Sequence, residues 1–299
     1  MENAVTTKVF LANIGDVLRE GIKSLLDERP TVQVVGSSDA LSTVIEQAHE
    51  LRPHFVLIGL LRRGIDAVET IKGIRRELPA IAVIGLIIDS DVFREAPVGA
   101  KGAGAHAYLS LNCRKEELWE LLEQLSVVPK AVAYKQRLQE LPIGDGKGYE
   151  SFCEEVIPFL FEPHFTRFER QVRRSTGDQP DLVCKNQGGH SFCKTIRDED
   201  NARYVVFEFK NEATPTLEHW RQLASFLKPT IGRFGILLVR EQPKRQRTLY
   251  THLSSFYAKN SMLIPLYDQD VLTMLDMRID LQEPMDHLER RYDHYIVHI

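Results

Sequence analysis

A carboxylate and an ammonium stand two residues apart in the run Val206-Phe-Glu-Phe-Lys210. Successive side chains on a strand point to opposite faces, so Glu208 and Lys210 share one face while Phe207 and Phe209 go to the core on the other. Burying such charges in an apolar strand is costly unless they serve each other, a metal or a substrate. Taken alone, Glu-x-Lys is a common surface pair, and its surroundings give it value. Asp181 follows Pro180 at the start of the preceding strand, with Asp178 in the turn before it as a second candidate. Glu150 lies on an upstream helix where Glu154 or Glu155 could serve instead, and Gln222 lies on a downstream helix.

These residues need a scaffold of alternating elements. Tyr149, Phe152, Val156, Phe159 and Leu160 fall at helical spacing, and Pro158 is expected to kink or end that helix early. A polar strand from Phe165 to Arg173 follows, then the turn Ser175-Thr-Gly-Asp-Gln-Pro180. Strands Asp181 to Lys185 and Arg203 to Asn211 come next, read as paired across a Gly188-Gly189 connection of uncertain length. Beyond lie a helix (Leu217 to Leu227), a strand (Phe234 to Val239), a helix ending near Tyr257, a strand (Met262 to Leu266) and a short helix from Asp268.

That order resembles the PD-(D/E)xK nuclease superfamily, the restriction-endonuclease-like fold, over roughly residues 146 to 277. On this resemblance the motif positions are Asp181, Glu208 and Lys210, with Glu150 as the helical glutamate and Gln222 as the downstream glutamine. About 26 residues separate Asp181 from Glu208, so the hairpin between them must be elaborated. The resemblance implies hydrolysis of phosphodiester bonds with Mg²⁺ or Mn²⁺, DNA being expected before RNA, in a setting such as bacterial defence. Asp181 and Glu208 would hold the ion as hard oxygen ligands, and Glu150 a second ion directly or through water. Lys210 would orient or help deprotonate the attacking water and neutralise charge, and Gln222 would position water or phosphate. Phosphate contacts are expected from local cations, namely Arg167, Arg170, Arg173 and Arg174 on one side and Lys244, Arg245 and Arg247 on the other. Asn211, His219 and Trp220 are expected to line the same cleft. No base-reading motif is present, so sequence specificity is not legible.

From residue 7 to about 125 short apolar runs alternate with amphipathic stretches: Lys8 to Ala12, Val32 to Val35, Phe55 to Ile58, Ile81 to Ile84 and Ala105 to Leu109. Val17, Leu18, Ile22, Leu25 and Leu26, and later Leu118, Leu121, Leu122 and Leu125, recur at helical spacing between and after them. Five such units predict a parallel sheet covered on both faces. With Leu18-Arg-Glu-Gly-Ile22, Val34-Val-Gly36, Leu51-Arg-Pro53 and Gly102-Ala-Gly104 before Ala107-Tyr-Leu109, this half resembles the receiver domain of bacterial response regulators, a flavodoxin-like fold. In that family an acidic pair holds magnesium, an aspartate accepts a phosphoryl group, and a hydroxyl residue and a lysine complete the switch. Here those positions fall on Asn13 and Ile14, Gly59, Ile87 and Leu111. A hard ion has no carboxylate cluster, and glycine has no side chain to phosphorylate. Of the nearby acids Asp16, Asp66 and Asp89, the first two read as helix-start residues. A phosphorylation-independent role in dimerisation or partner binding is expected, with a homodimer and a regulatory protein as the partners in view.

The whole is expected to be α/β: a receiver-like domain over residues 1–125 with a five-stranded parallel sheet, a linker over 126–148, and a nuclease-like domain over 149–299 with a mixed central sheet. The 299 residues, 43% hydrophobic and 27% charged, suit soluble globular domains rather than a disordered or fibrous chain. No apolar run is long enough to span a bilayer and no signal peptide is evident, so a cytoplasmic, membrane-free protein is expected. A net charge of -4 requires any nucleic-acid contact to come from local basic patches. Four cysteines imply no disulfide framework; Cys184, His190 and Cys193 match no common zinc spacing, and His294 with His298 is a weak metal pair. The aromatic and histidine-rich tail, Arg290 to Ile299, is expected to pack on the body or on a second subunit.

Overall fold

The computed structural model describes residues 6–60, 65–87, 104–170, 179–243 and 246–299. Its contacts divide the chain into two units, Met1–Ala133 with Ile279–Leu281, and Tyr134–Arg278 with Gln282–Ile299. Among the described residues no helix is long and apolar enough to cross a membrane.

The first unit alternates β1 (Thr7–Ala12), α1 (Asp16–Asp27), β2 (Val32–Ser38), α2 (Leu41–Leu51), β3 (Phe55–Gly59), α3 (Ile65–Glu77), β4 (Ala82–Ile87), β5 (Ala107–Ser110) and α4 (Lys115–Leu125). All pairings are parallel, in the order β2-β1-β3-β4-β5. β3 is buried along its whole length, which is why its sequence is continuously apolar rather than alternating. Phe10, Val56, Ile71 and Val83 anchor the core on one face, where α2 and α3 pack. The apolar set on α1 divides against expectation: Leu26 is buried, whereas Val17 is 88% exposed. Nine residues at about 100° each place Val17 on the opposite side of the helix from Leu26.

Helix α5 (Val127–Glu140) contains the division between units, so part of the stretch read as a linker is helical. The second unit continues with α6 (Gly146–Phe161), β6 (Phe165–Arg170), β7 (Leu182–Asn186), α7 (Ser191–Glu199), β8 (Tyr204–Lys210), α8 (Leu217–Phe226), β9 (Phe234–Val239), α9 (Gln246–Tyr257), β10 (Met262–Tyr267), α10 (Asp268–Ile279) and α11 (Met285–His298). Its sheet is mixed, in the order β10-β9-β8-β7-β6, with β6, β7 and β8 antiparallel and β8, β9 and β10 parallel. The protein is therefore α/β throughout, a receiver-like five-stranded parallel sheet followed by a second α/β domain with a mixed five-stranded sheet.

One local expectation is corrected and two are given their detail. Pro158 neither ends nor interrupts α6, which runs on to Phe161. A proline in the last turn forfeits one backbone hydrogen bond close to where the helix would stop anyway, and buried Ile157, Leu160 and Phe161 hold that turn in place. The Gly188-Gly189 connection is the lead-in to a whole helix, α7, which accounts for the length between Asp181 and Glu208. The C-terminal tail is helical, and its Met285, Leu288, Tyr292 and Tyr295 are buried, with α11 packing on α7 and β10.

Candidate active site

β8 occupies the middle of the mixed sheet, flanked by β7 and β9. Phe207 and Phe209 enter the core, and Phe207 lies 6.3 Å from Phe161 of α6, ring centre to ring centre. Glu208, on the other face, is fully buried, and its Oε1 accepts a hydrogen bond from Lys210 Nζ at 2.8 Å. Glu208 Oε2 is buried without a hydrogen-bond partner. A charged acceptor left in that state costs more than an ordinary hydrogen bond gains.

Asp181 sits immediately before β7. Leu182 pairs with Phe207, so continuing the antiparallel register by one residue sets Asp181 opposite Glu208. There Asp181 Oδ2 accepts the backbone N–H of Phe209 at 2.7 Å. Burial, and then the charge of Asp181, push the Glu208 carboxyl up to about 7 against the pull of Lys210. Burial likewise pushes Asp181 up to about 6, with the Phe209 N–H and Lys210 opposing and Glu150 and Glu154 adding to the rise. Two carboxyls thus resist ionisation together beside one cation, an arrangement that a bound divalent cation would relieve.

Helix α6 brings Glu150 within electrostatic reach of Asp181, and Asp145 caps its first turn by accepting the Gly148 N–H at 2.9 Å. The other two glutamates of this helix are paired as follows. Glu154 pairs with Arg170 at 3.3 Å, and Glu155 accepts from Arg137 at 2.7 Å. Gln222 is partly buried on α8, one turn after His219. His219 belongs to the capping box of α8: its backbone N–H donates to Thr216 Oγ1, and its Nδ1 accepts the Thr216 N–H at 3.3 Å. Its Nε2 lies 3.6 Å from Glu212 Oε1. Burial lowers the imidazole below its ordinary value, Glu212 works against that, and Lys210 adds to it.

Two expected cleft residues belong elsewhere. Trp220 is fully buried, one position along α8 from His219 and facing the core. Asn211 is committed to structure, donating to the Pro142 carbonyl at 3.0 Å and accepting from Arg240 at 3.1 Å. Arg240 also donates to Asp268 and to the Leu141 carbonyl, and Tyr149 O–H donates to Asp268 at 2.8 Å. This buried network joins the residue before Glu150 to the end of β8. Its signal in the sequence was faint: an arginine just past an apolar strand and an aspartate opening a helix. Among the expected phosphate contacts, Arg167, Arg170 and Arg247 are exposed. Arg173, Arg174, Lys244 and Arg245 lie outside the described residues, as do Asp178 and Asp89.

The weaker metal readings fare differently. Cys184 and Cys193 are buried, and the Cys184 thiol donates to the Val205 carbonyl. His190 caps α7 through Nδ1, which accepts the Phe192 N–H, and its Nε2 meets Asp286 at 3.0 Å. His190, Asp286 and Glu289 do gather, but the capping bond places the neutral imidazole's proton on Nε2, the nitrogen facing the carboxylate, where an ion would have to displace it. His294 and His298 pack 4.4 Å apart, ring centre to ring centre, with His294 held to Tyr250.

In the first unit, residues at the positions that the receiver resemblance assigns to chemistry make structural contacts. Asn13 donates to the Gly59 carbonyl at 2.9 Å, and Ile14 is buried. Asp39 accepts the backbone N–H groups of Ile14 and Gly15 and pairs with Arg19, which holds its carboxyl below the usual range. Over 125 residues the chain is 30% identical to the response regulator protein VraR of Staphylococcus aureus, a match covering 41% of this chain and 57% of that protein. The N-terminal half resembles a response-regulator receiver domain. The chain spans a little over half the length of the curated relatives it matches, so the receiver-like likeness concerns one domain of each. Solved structures similar to it include a LuxR-family response regulator from Aurantimonas sp. SI85-9A1, at 22% identity over 40% of this chain and 85% of that one, with a TM-score of 0.37. The receiver domain of NarL from Mycobacterium tuberculosis is another, at 19% identity over 40% of this chain and 96% of that one, with a TM-score of 0.34. No family model matches the chain.

Proposed function

We propose that the C-terminal unit is a divalent-metal-dependent nuclease that hydrolyses phosphodiester bonds, DNA being the expected substrate. The observation that carries this reading is Glu208, fully buried with one carboxylate oxygen unpartnered, set against Asp181 and beside Lys210. The donor set fits Mg²⁺ or Mn²⁺, hard ions that take carboxylate oxygens. Asp181 and Glu208 would hold the ion, with Glu150 reaching the same site from α6. When bound, it supplies a more acidic water and positive charge against the developing phosphorane. Lys210 keeps Glu208 oriented through Oε1 and has further N–H donors for a water or a phosphate oxygen. The order α6, β6 to β8, α8, β9 accords with the restriction-endonuclease-like arrangement. The exposed Arg167, Arg170 and Arg247 are the described cations for the nucleic-acid backbone.

The receiver-like half, without acceptor or magnesium carboxylates, is proposed to act independently of phosphorylation, as a dimerisation or regulatory module. The test is incubation of the full chain with supercoiled DNA, linear DNA and RNA in Mg²⁺, Mn²⁺ or EDTA, beside Glu208→Ala and Lys210→Ala. Cleavage is expected only with metal, reduced roughly 10²- to 10⁴-fold by Lys210→Ala. Absence of cleavage on every substrate and metal would favour a binding adaptor instead.

A further inference from the structure

The nuclease reading leaves His219 without a task, although the structure prepares it for one. Its Nδ1 is occupied by the Thr216 N–H, so the proton of the neutral ring resides on Nε2. The side chain is 13% exposed, too enclosed to be a simple surface histidine. Nε2 faces Glu212, which is more than half exposed and only 3.6 Å away, and the positive charge of Lys210 acts on the same ring. Gln222, one turn along α8, shares its face. A fixed N–H donor thus points to Glu212, two residues beyond the cation of the proposed centre and within its electrostatic reach, held there by a capping box rather than by a flexible stem.

We propose that His219 Nε2–H, at the end of β8 where Glu212 follows Lys210, is a substrate-binding donor, giving a hydrogen bond to a non-bridging oxygen of the phosphodiester that the Asp181–Glu208 centre would hydrolyse. The proposal rests on the nuclease reading above. Glu212 Oε1 lies 3.6 Å from Nε2, beyond an ordinary hydrogen bond, so a phosphate oxygen can accept from Nε2–H without displacing Glu212 as an acceptor. A donor fixed in advance loses little freedom when the charge develops, which makes it more effective than an equivalent group in water. The donation involves no change in protonation.

The two nitrogens have separate jobs, so two substitutions separate them. His219→Asn keeps a polar atom near the Nδ1 position, able to cap α8, but removes the distal donor. His219→Gln places an amide near the Nε2 position and gives up the cap. In the full chain, with linear duplex DNA and Mn²⁺, His219→Asn is expected to melt as wild type yet lose about 10²- to 10³-fold in kcat/KM, the scale of losing one transition-state donor. His219→Gln is expected to cleave within roughly tenfold of wild type while melting a few degrees lower, as loss of a cap predicts. Wild-type cleavage by His219→Asn, or cleavage kept in Asn and lost in Gln, overturns the donor role and leaves the nuclease reading standing. A wild-type protein that cleaves neither DNA nor RNA with any metal overturns both.

Discussion

Glu208 and Asp181 give specific expectations for how the protein should respond to pH and to added metal. Burial and mutual repulsion raise Glu208 from 4.5 to about 7, and burial raises Asp181 from 3.8 to about 6. A carboxyl held above its unfolded value binds its proton more tightly in the folded state. Its contribution to stability is therefore complete below about pH 4 and is lost as pH rises through 6 and then 7. Divalent ions compete with those protons, so Mg²⁺ or Mn²⁺ should raise Tm more at about pH 8 than at about pH 5. Calorimetric melting of wild type and Glu208→Gln checks this: the variant should lose most of the metal shift and flatten the metal-free decline. Equal metal shifts in the two proteins would place the ion elsewhere. The pairing of Glu208 with Lys210 on one strand face was legible from alternation alone. The unpartnered Oε2 was not, because it depends on what β7, α6 and β9 bring around it.

At the scale of elements, the centre depends on how the chain enters and leaves β8. Gly232 has φ near 125°, and a Cβ there would come within 2.5 Å of the Asn201 carbonyl oxygen, in the turn that leads into β8. Gly232→Ala should lower stability by more than about 1 kcal/mol, measured by urea unfolding, because both the backbone conformation and the space are denied to it. Asn186, at the end of β7, donates to the Cys193 and Ala202 carbonyls and so fastens the inserted α7 at both ends. Asn186→Ala should cost roughly 2–3 kcal/mol by stranding those buried carbonyls. An unchanged unfolding midpoint in either variant would count against the packing described. The strands were readable from their apolar runs, since β3, β9 and β10 are buried on both faces and tolerate little else. Helix α7 was not: Ser191 to Glu199 contains only three buried residues, and its length was hidden in a connection marked by two glycines. The apolar spacing on α1 also misled, because Val17 and Leu26 satisfy helical spacing through intermediates without sharing a face.

For the whole molecule, the receiver-like half predicts a negative result that is itself informative. Incubation with acetyl phosphate and Mg²⁺ should leave the intact mass unchanged if, as the receiver resemblance implies, Gly59 stands at the acceptor position; a phosphoryl adduct would reveal a different acceptor. With a net charge of -4, nucleic-acid affinity should come from a few local contacts. Binding should then fall with salt at a log–log slope of about -0.9 for each duplex phosphate neutralised, read by anisotropy in Ca²⁺. The strand order carries one more consequence. β6 ends the mixed sheet, and its register is interrupted between Thr166 and Glu169, where Arg167 adopts a left-handed φ of 50°. A strand at a sheet margin invites a neighbouring molecule to add to it, and a kink carrying exposed arginines discourages that. Arg167 and Arg170 would then guard the protein against self-association whatever they do for a nucleic acid. Replacing both by valine should make the protein more prone to precipitate with time, a property that light scattering can follow without any substrate present.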